Sequence, residues 1–273
     1  MDFRSRKELL LVGIYLSSLA IGAVATLAST GALSTYNIGK VLGVWMLTAL
    51  VFQIVLATRM NLIERGIGYD RITNWHALNG KLIGILVLLH PFLMFKTQIM
   101  NLQFNLILTY MVNNPAVLLG VTAVLMILGQ ILGTLYWKSL DYQIWRKIHM
   151  LGYVVVGLGF AHSLLLGTET TIPPDNPLAY YWLFLGLVAT VSAGYSLIYR
   201  RLWKPQKFEL ENVKEETEDV TTVELRPLEK DIDNSPGQFA YVKFDSEEVP
   251  GEEHHFTVSS SAEKNGISFT VKD

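Results

Sequence analysis

Two stretches decide the fold of this chain: YDRITNWHALNGKLIGILVLLHP at residues 69–91 and YQIWRKIHMLGYVVVGLGFAHS at residues 142–163. Both are rich in apolar residues and each carries two histidines. His76 and His90 are fourteen residues apart, and His149 and His162 are thirteen apart. An ionisable side chain inside a membrane-spanning segment is costly and by default indicates a functional site. The four histidines are therefore the first candidates for function.

The composition predicts an α-helical membrane protein. The chain is 51% hydrophobic and only 17% charged, whereas a typical soluble domain has about 25% charged residues. Six segments are long and apolar enough to cross a hydrocarbon core about 30 Å thick. They are residues 9–28, 38–57, 74–95, 115–135, 147–167 and 178–199. The first could also be a cleaved signal peptide, because basic residues precede it.

Lysine and arginine are distributed unevenly between the loops. They cluster before the first segment, between the second and third, between the fourth and fifth, and after the sixth. The opposite loops hold little more than Lys40 and Lys96. Because cytoplasmic loops carry the basic excess, both termini are predicted to be cytoplasmic. The clustered residues are Arg4, Arg6, Lys7, Arg59, Arg65, Arg71, Lys138, Arg146, Lys147, Arg200, Arg201, Lys204 and Lys207.

The spacing of the histidines places them at two matching depths. Fourteen residues of helix rise about 21 Å and thirteen rise about 19.5 Å. Since the third and fifth segments run in the same direction, His76 pairs with His149 on the cytoplasmic side and His90 with His162 on the outer side. Histidine is an axial ligand of haem iron. Each pair thus predicts one haem iron with two histidine ligands and no open coordination position.

Other features narrow the kind of cofactor and partner. The absence of cysteine excludes cysteine-ligated iron–sulfur clusters and thioether-attached haem, so both haems would be b-type. The net charge of −2 gives no indication of a nucleic-acid partner.

At about 100° per residue, the histidines of the third segment lie about 40° apart around the helix axis and those of the fifth about 140° apart. The fifth helix must therefore distort, or its haems must be rotated relative to one another.

The composition changes after Trp203. Residues 207–219 are charged, and short β-patterned runs follow at 220–225, 238–244, 256–260 and 267–271. Turn signals separate these runs at 235–237, 250–251 and 265–266, where Asn-Gly favours a hairpin. The sequence predicts a di-haem bundle over residues 1–203 and the opening strands of an antiparallel β-barrel over residues 204–273.

Residues 69–91 and 142–163 resemble the third and fifth helices of the ferric-reductase-like transmembrane domain, which occurs in NADPH oxidases and ferric reductases. The histidine spacings match that family's pattern. The tail resembles the ferredoxin-reductase-type flavin domain that follows this bundle in the family. The segment PGQF at 236–239 resembles its early barrel strand. The segment EHHFTVSS at 253–260 resembles its His-Pro-Phe-Thr motif, with His255 in place of proline.

The resemblance implies that His254, Phe256, Thr257 and Ser259 bind FAD. Phe256 would lie against the isoalloxazine, Thr257 near its reactive nitrogen and His254 near the ribityl-diphosphate. Electrons would pass from cytoplasmic NAD(P)H through FAD and two b-type haems to an external acceptor. That acceptor would be oxygen, giving superoxide, or alternatively ferric or cupric ion. Arg71, Arg146 and Lys147 would be candidates to pair with the haem propionates.

The family continues into a nicotinamide domain with a G-x-G-x-x-G loop, which these 273 residues lack. That domain is expected either further along the chain or in a separate partner. Two other functions remain open. One is an electron-conduit subunit, like the haem-bearing membrane partner of periplasmic methionine sulfoxide reductase, although that protein lacks the barrel. The other is a transporter whose histidines bind no haem.

Overall fold

The structure, a computed structural model, describes residues 3–31, 33–58, 60–136, 139–167, 176–199, 202, 205–229, 238–244, 253–260 and 266–272. The chain divides into two units, Met1–Arg201 and Leu202–Asp273. The first is helical and the second is a small antiparallel sheet region. The predicted turns at 235–237 and 250–251, and the basic residues Arg59, Lys138, Arg200, Arg201 and Lys204, lie outside the described residues.

The first unit contains six candidate membrane spans among the described residues, which confirms the predicted six-helix fold. Five of them are α1 (Phe3–Thr30), α2 (Thr35–Ala57), α4 (Tyr69–Met94), α7 (Pro115–Leu135) and α10 (Pro177–Gly194). The remaining span is divided into α8 (Tyr142–Met150) and α9 (Gly152–Leu166). Short helices α3 (Asn61–Ile67), α5 (Lys96–Met100) and α6 (Phe104–Asn113) lie in the connections. A π-helical turn, Tyr195–Tyr199, follows α10.

Three of the spans begin at clear sequence signals. The side chain of Asn114 caps α7, and the side chain of Asn176 caps α10. A proline follows each asparagine at the first helical position, where its missing N–H costs nothing. The carboxylate of Asp141 caps α8 by accepting from two backbone N–H groups. These caps fix where the histidine-bearing fifth span and its neighbours start.

The central helix of the bundle is α2, which packs against α1, α4, α9 and α10. Helix α4 packs mainly against α2, and α9 packs mainly against α7. The two histidine-bearing spans therefore each have their own supporting helix. The outward surfaces are apolar, as a lipid-facing bundle requires. Exposed examples are Leu10, Ile21, Leu88, Leu125 and Leu187.

A buried polar network joins α1, α2 and α4. The Tyr15 hydroxyl donates to Asn79 Oδ1 (2.7 Å), and Asn79 Nδ2 donates to the carbonyl of Ala49 (2.8 Å) and to Gln53 Oε1 (2.7 Å). Gln53 Nε2 then donates to the backbone carbonyl of His76 (3.0 Å). A buried polar network is stabilising when its members are satisfied. This one fixes the turn of α4 that begins at His76.

The fifth span distorts between its two histidines. The N–H of Leu151 donates to the carbonyl of Ile148 (3.1 Å), which is an i→i−3 bond in place of the α-helical i→i−4 bond. The interruption agrees with the expectation that a straight helix would leave His149 and His162 poorly aligned. In contrast, α4 continues without interruption through Pro91.

The described residues of the second unit form five strands: β1 (Phe208–Thr217), β2 (Val220–Pro227), β3 (Phe239–Lys243), β4 (Glu253–Thr257) and β5 (Ile267–Lys272). The order β1-β2-β5 forms one antiparallel sheet, and β3 pairs with β4 in another. A single bridge between Val258 and Phe269 links β4's end to β5. These two residues and Ile267 form the buried core of the unit.

Two strands differ from the sequence prediction. Strand β1 occupies most of a segment expected only to be charged and soluble. It is an edge strand with two register irregularities and is exposed along most of its length. Because charged residues occupy the exposed positions, its sequence lacks the alternation of apolar and polar residues by which a strand is predicted. Strand β4 begins at Glu253, before the expected run at 256–260, because its register is set by pairing with β3.

Gly266 has φ +133°, and a Cβ there would lie 2.7 Å from the Leu225 carbonyl oxygen, so this position before β5 requires glycine.

The network around Asn79 gives a stability prediction. Asn79→Ala should lower the free energy of unfolding by about 1 to 3 kcal/mol, because Tyr15, Ala49 and Gln53 would lose a buried partner. Asn74→Ala, at an exposed position of the same helix, is the matched control and should have little effect. Thermal unfolding of the purified protein in detergent measures both. Equal melting temperatures for the two variants would contradict a stabilising network.

Candidate functional site

The structure brings the four histidines together in the two pairs expected from their spacing. The ring centroids of His76 and His149 are 5.8 Å apart, with 56° between the ring planes. Those of His90 and His162 are 6.5 Å apart, with 89° between the planes. All four side chains are half-buried. The pairs lie between the two helix pairs of the bundle, α2 with α4 and α7 with the fifth span.

These distances fit one metal ion between each pair of rings. A metal–imidazole bond is about 2.0 Å, so an ion bound by two opposed imidazoles would separate their centroids by about 6 Å. No cluster of three or more potential protein ligands occurs among the described residues. Haem iron needs only two, because the porphyrin supplies the other four. The donor set therefore suits bis-histidine haem better than a bare metal ion.

The outer pair is oriented by hydrogen bonds to backbone carbonyls. His90 Nδ1 lies 2.8 Å from the carbonyl oxygen of Gly39 on α2, and His162 Nδ1 lies 2.7 Å from that of Ala116 on α7. A carbonyl only accepts, so both Nδ1 atoms must carry the proton. In a neutral ring with this tautomer, Nε2 carries a lone pair and can only accept. Metal-ligating histidines are commonly oriented in this way.

Glycines allow these two rings to approach their supporting helices. A Cβ at Gly43 would lie 2.8 Å from Cε1 of His90, and a Cβ at Gly120 would lie 2.5 Å from Cε1 and Nδ1 of His162. Each glycine follows the accepting carbonyl by four residues, one helical turn later on the same helix. Each outer histidine therefore lies against a backbone carbonyl and a glycine four residues later, on α2 for His90 and on α7 for His162. We call each such pair of positions a glycine seat.

The inner pair is held differently. Among the residues that the structure describes, His149 Nδ1 is buried without a hydrogen-bond partner. Its ring instead stacks on Trp145, with centroids 5.1 Å apart and planes 16° from parallel. The turn of α4 at His76 is held through its backbone carbonyl by Gln53. The outer site is thus fixed by hydrogen bonds to the rings, whereas the inner site is fixed by stacking and by backbone contacts.

Two unpartnered donors lie near His149. In the part of the chain that the structure describes, Trp145 Nε1 and Gln130 Nε2 are buried without a hydrogen-bond partner, and Gln130 lies close to Gly152, one turn after His149. Buried polar groups of this kind are normally satisfied. A cofactor with acceptor oxygens would satisfy them. These features fit a haem at the inner site.

The cytoplasmic arginine expected near the inner site has another partner. Arg71 forms an ion pair with Glu8 of α1 at 2.6 Å, and the indole N–H of Trp75 donates to the same carboxylate at 2.9 Å. Arg71 is thus used to join α1 to α4. Arg146 and Lys147 are exposed.

The residues expected to bind flavin lie on and beside β4. The ring of Phe256 is half-buried and lies 5.5 Å from that of Phe269, and the ring of His254 lies 6.4 Å from Phe256. Thr257 is exposed on the other face of the strand, because successive side chains alternate. The Ser259 hydroxyl donates to the Ser268 carbonyl at 3.0 Å. The FAD assignment of these residues stays a prediction.

Sequence reasoning missed the groups that orient the histidines. The carbonyls of Gly39 and Ala116 carry no side-chain signal, and the seats are only visible as small residues four apart, at 39 and 43 and at 116 and 120. Trp145 was within the quoted stretch and lies four residues before His149, which is the spacing of side chains on one helix face.

Comparison with known proteins identifies a family for this arrangement. The family model described as ferric reductase like transmembrane component matches residues 42–160. That segment contains His76, His90 and His149, together with Gly43 and Gly120, and ends two residues before His162. No curated protein sequence matches the chain.

Proposed function

We propose that this chain, whose residues 42–160 form a ferric-reductase-like transmembrane domain, conducts electrons across a membrane through two b-type haems held by His76 with His149 and by His90 with His162. The multi-pass membrane domain of this family implies transmembrane electron transfer. In the full proposed route, electrons pass from cytoplasmic NAD(P)H to FAD, then through the two haems to an external acceptor.

The outer histidine pair is the single observation that carries the proposal. Both rings use their Nδ1 proton on a backbone carbonyl, so two Nε2 lone pairs are left at a ring separation that fits one metal ion. These two nitrogens can only accept, as metal ligation requires. A transporter whose histidines exchange protons has no need to fix both tautomers. The geometry therefore supports metal ligation over that alternative.

The protein's own residues hold, orient and insulate the cofactors. Bound haem supplies one-electron redox chemistry. His76 and His149 would hold the inner iron, and His90 and His162 the outer iron, with their rings fixed by the contacts described above. With two histidines holding each iron, no position would remain open for an acceptor, so its reduction would proceed by outer-sphere transfer. The apolar surface of the spans keeps water from the path between the two sites.

The direction of transfer follows from the proposed orientation. Basic residues are concentrated at the termini and in the connections that lie on the same side as His76 and His149. The proposal therefore has both termini in the cytoplasm and the outer histidine pair facing away from it. FAD bound by His254, Phe256, Thr257 and Ser259 would then be on the side of electron entry.

Oxygen is the acceptor we propose, with superoxide as the product, and ferric or cupric reduction is the alternative. Residues 29–45 and 90–120 include Lys40 and Lys96 but no aspartate or glutamate, whereas the remaining outer connection includes Glu169 and Asp175, so the preference rests on the position of Lys96 and not on the net charge of the outer side. A cleft of about 310 Å³ is lined by Lys96, within two turns of His90, together with Leu93 and Met94. At this cleft the lysine disfavours the approach of cationic metal species but not of neutral oxygen.

The first prediction concerns haem content. The purified protein should contain two haems per chain, and His162→Leu should lower the content to one. Gly120→Ala should also impair the outer site, because its Cβ would collide with the His162 ring. Gly129→Ala on the same helix is the matched control, because its Cβ meets no atom within 4 Å. Pyridine haemochrome spectra give the count. One haem per chain in the wild type would exclude the two-haem path.

The second prediction concerns flavin. Thr257→Val should weaken FAD binding by about 1 kcal/mol through a lost hydrogen bond, and Phe256→Ala should weaken it further. Phe208→Ala is the control, since Phe208 packs against the same core and tests for lost stability alone. Flavin fluorescence titration measures the affinity. Equal affinity in the wild type and a Phe256→Ala, Thr257→Ala double variant would remove the assignment.

The third prediction concerns the acceptor. The dithionite-reduced protein, freed of excess reductant, should be reoxidised rapidly by oxygen with superoxide formation. Cyanide and carbon monoxide should inhibit poorly, because they must first displace a histidine. Stopped-flow absorbance follows the haem, and a superoxide dismutase-sensitive dye reports the product. Reoxidation by anaerobic Fe(III) chelate with no superoxide in air would favour the metal-reductase alternative.

A further inference from the structure

We infer that Trp145 is the positioning residue of the inner haem ligand His149, doing by ring stacking what backbone carbonyls do at the outer site. The inference rests on the proposed haem ligation. It concerns a residue outside the four histidines, one that touches the ligand and not the iron.

The need for such a residue comes from a missing hydrogen bond. A ligating imidazole can rotate about its bond to the metal unless its other nitrogen is held, which is why ligating histidines usually donate that N–H. His90 and His162 do so, but His149 Nδ1 is buried and has no hydrogen-bond partner among the described residues. Another contact must therefore set the plane of the His149 ring.

Trp145 provides that contact. Its indole lies one helical turn before His149 and nearly parallel to the imidazole, at 16° and 5.1 Å between centroids. Tyr142 supports the other side of the stack, with centroids 5.8 Å from Trp145 and planes 30° apart. A rotation of the His149 ring would lose this parallel contact. The indole face therefore fixes the plane of the His149 ring, and a change in that plane changes its angle to the His76 ring.

That angle has a spectroscopic signature. In ferric haem with two imidazole ligands, the largest g value rises as the ligand planes approach perpendicular, because the two iron orbitals that interact with the rings become equal in energy. The planes are 89° apart for the outer pair and 56° apart for the inner pair. The oxidised protein should therefore give two low-spin signals, and the one with the smaller maximum g value belongs to the inner site.

Low-temperature EPR of the oxidised protein, with haem content and reductive titration measured on the same sample, tests the inference. Trp145→Leu should shift the inner signal and the inner midpoint potential and leave the outer signal in place as an internal reference. Trp145→Phe, which retains a ring face, should stay near the wild type. Tyr142→Leu, which leaves Trp145 against His149, is the matched control and should have a smaller effect than Trp145→Leu.

Each outcome decides the inference. Loss of the inner haem from Trp145→Leu, with both haems retained in Trp145→Phe, would support it, because only the ring face distinguishes these variants. Unchanged signals in Trp145→Leu would overturn it, and so would loss of the inner haem from both variants. A wild-type protein without low-spin haem signals would refute the proposed function itself, before any variant is compared.

Discussion

The constraint on which the rest of the bundle depends is the opposition of two imidazoles that have both used their Nδ1 proton. His90 and His162 each donate to a backbone carbonyl, so their remaining nitrogens are both acceptors. Two acceptor nitrogens of this kind are suited to binding a cation. In the proposed function that cation is a haem iron, which needs only two protein ligands and so requires no acidic or cysteine side chain.

This constraint explains the arrangement of the supporting helices. An imidazole reaches a helix carbonyl only if the next turn of that helix leaves room for the ring. Gly43 and Gly120 leave that room, and α2 and α7 can approach α4 and α9 closely as a result. Small residues serve the same purpose wherever membrane helices pack closely. The glycine seats therefore combine two roles, because they set both the helix packing and the histidine tautomers.

The sequence predicted those parts of the structure that follow from periodicity and composition. The six spans were clear because each needs about twenty apolar residues, and the pairing of His76 with His149 follows from helical rise alone. Contacts that depend on tertiary packing were not predictable. Arg71 binds Glu8, which is distant in sequence. The charged segment of β1 forms a strand because it pairs with β2, which its own composition does not indicate.

The distortion at Leu151 shows how the two sites can be positioned independently. If the fifth span were straight, the orientation of His162 would be set by that of His149, about 140° away around the helix. The tightened turn at Leu151 separates them. His162 is then located by the Ala116 carbonyl on α7, whereas His149 is located by Trp145 on its own helix. Because each ring has its own local support, the inner and outer sites can differ in ligand geometry, and the helix between them need not satisfy both.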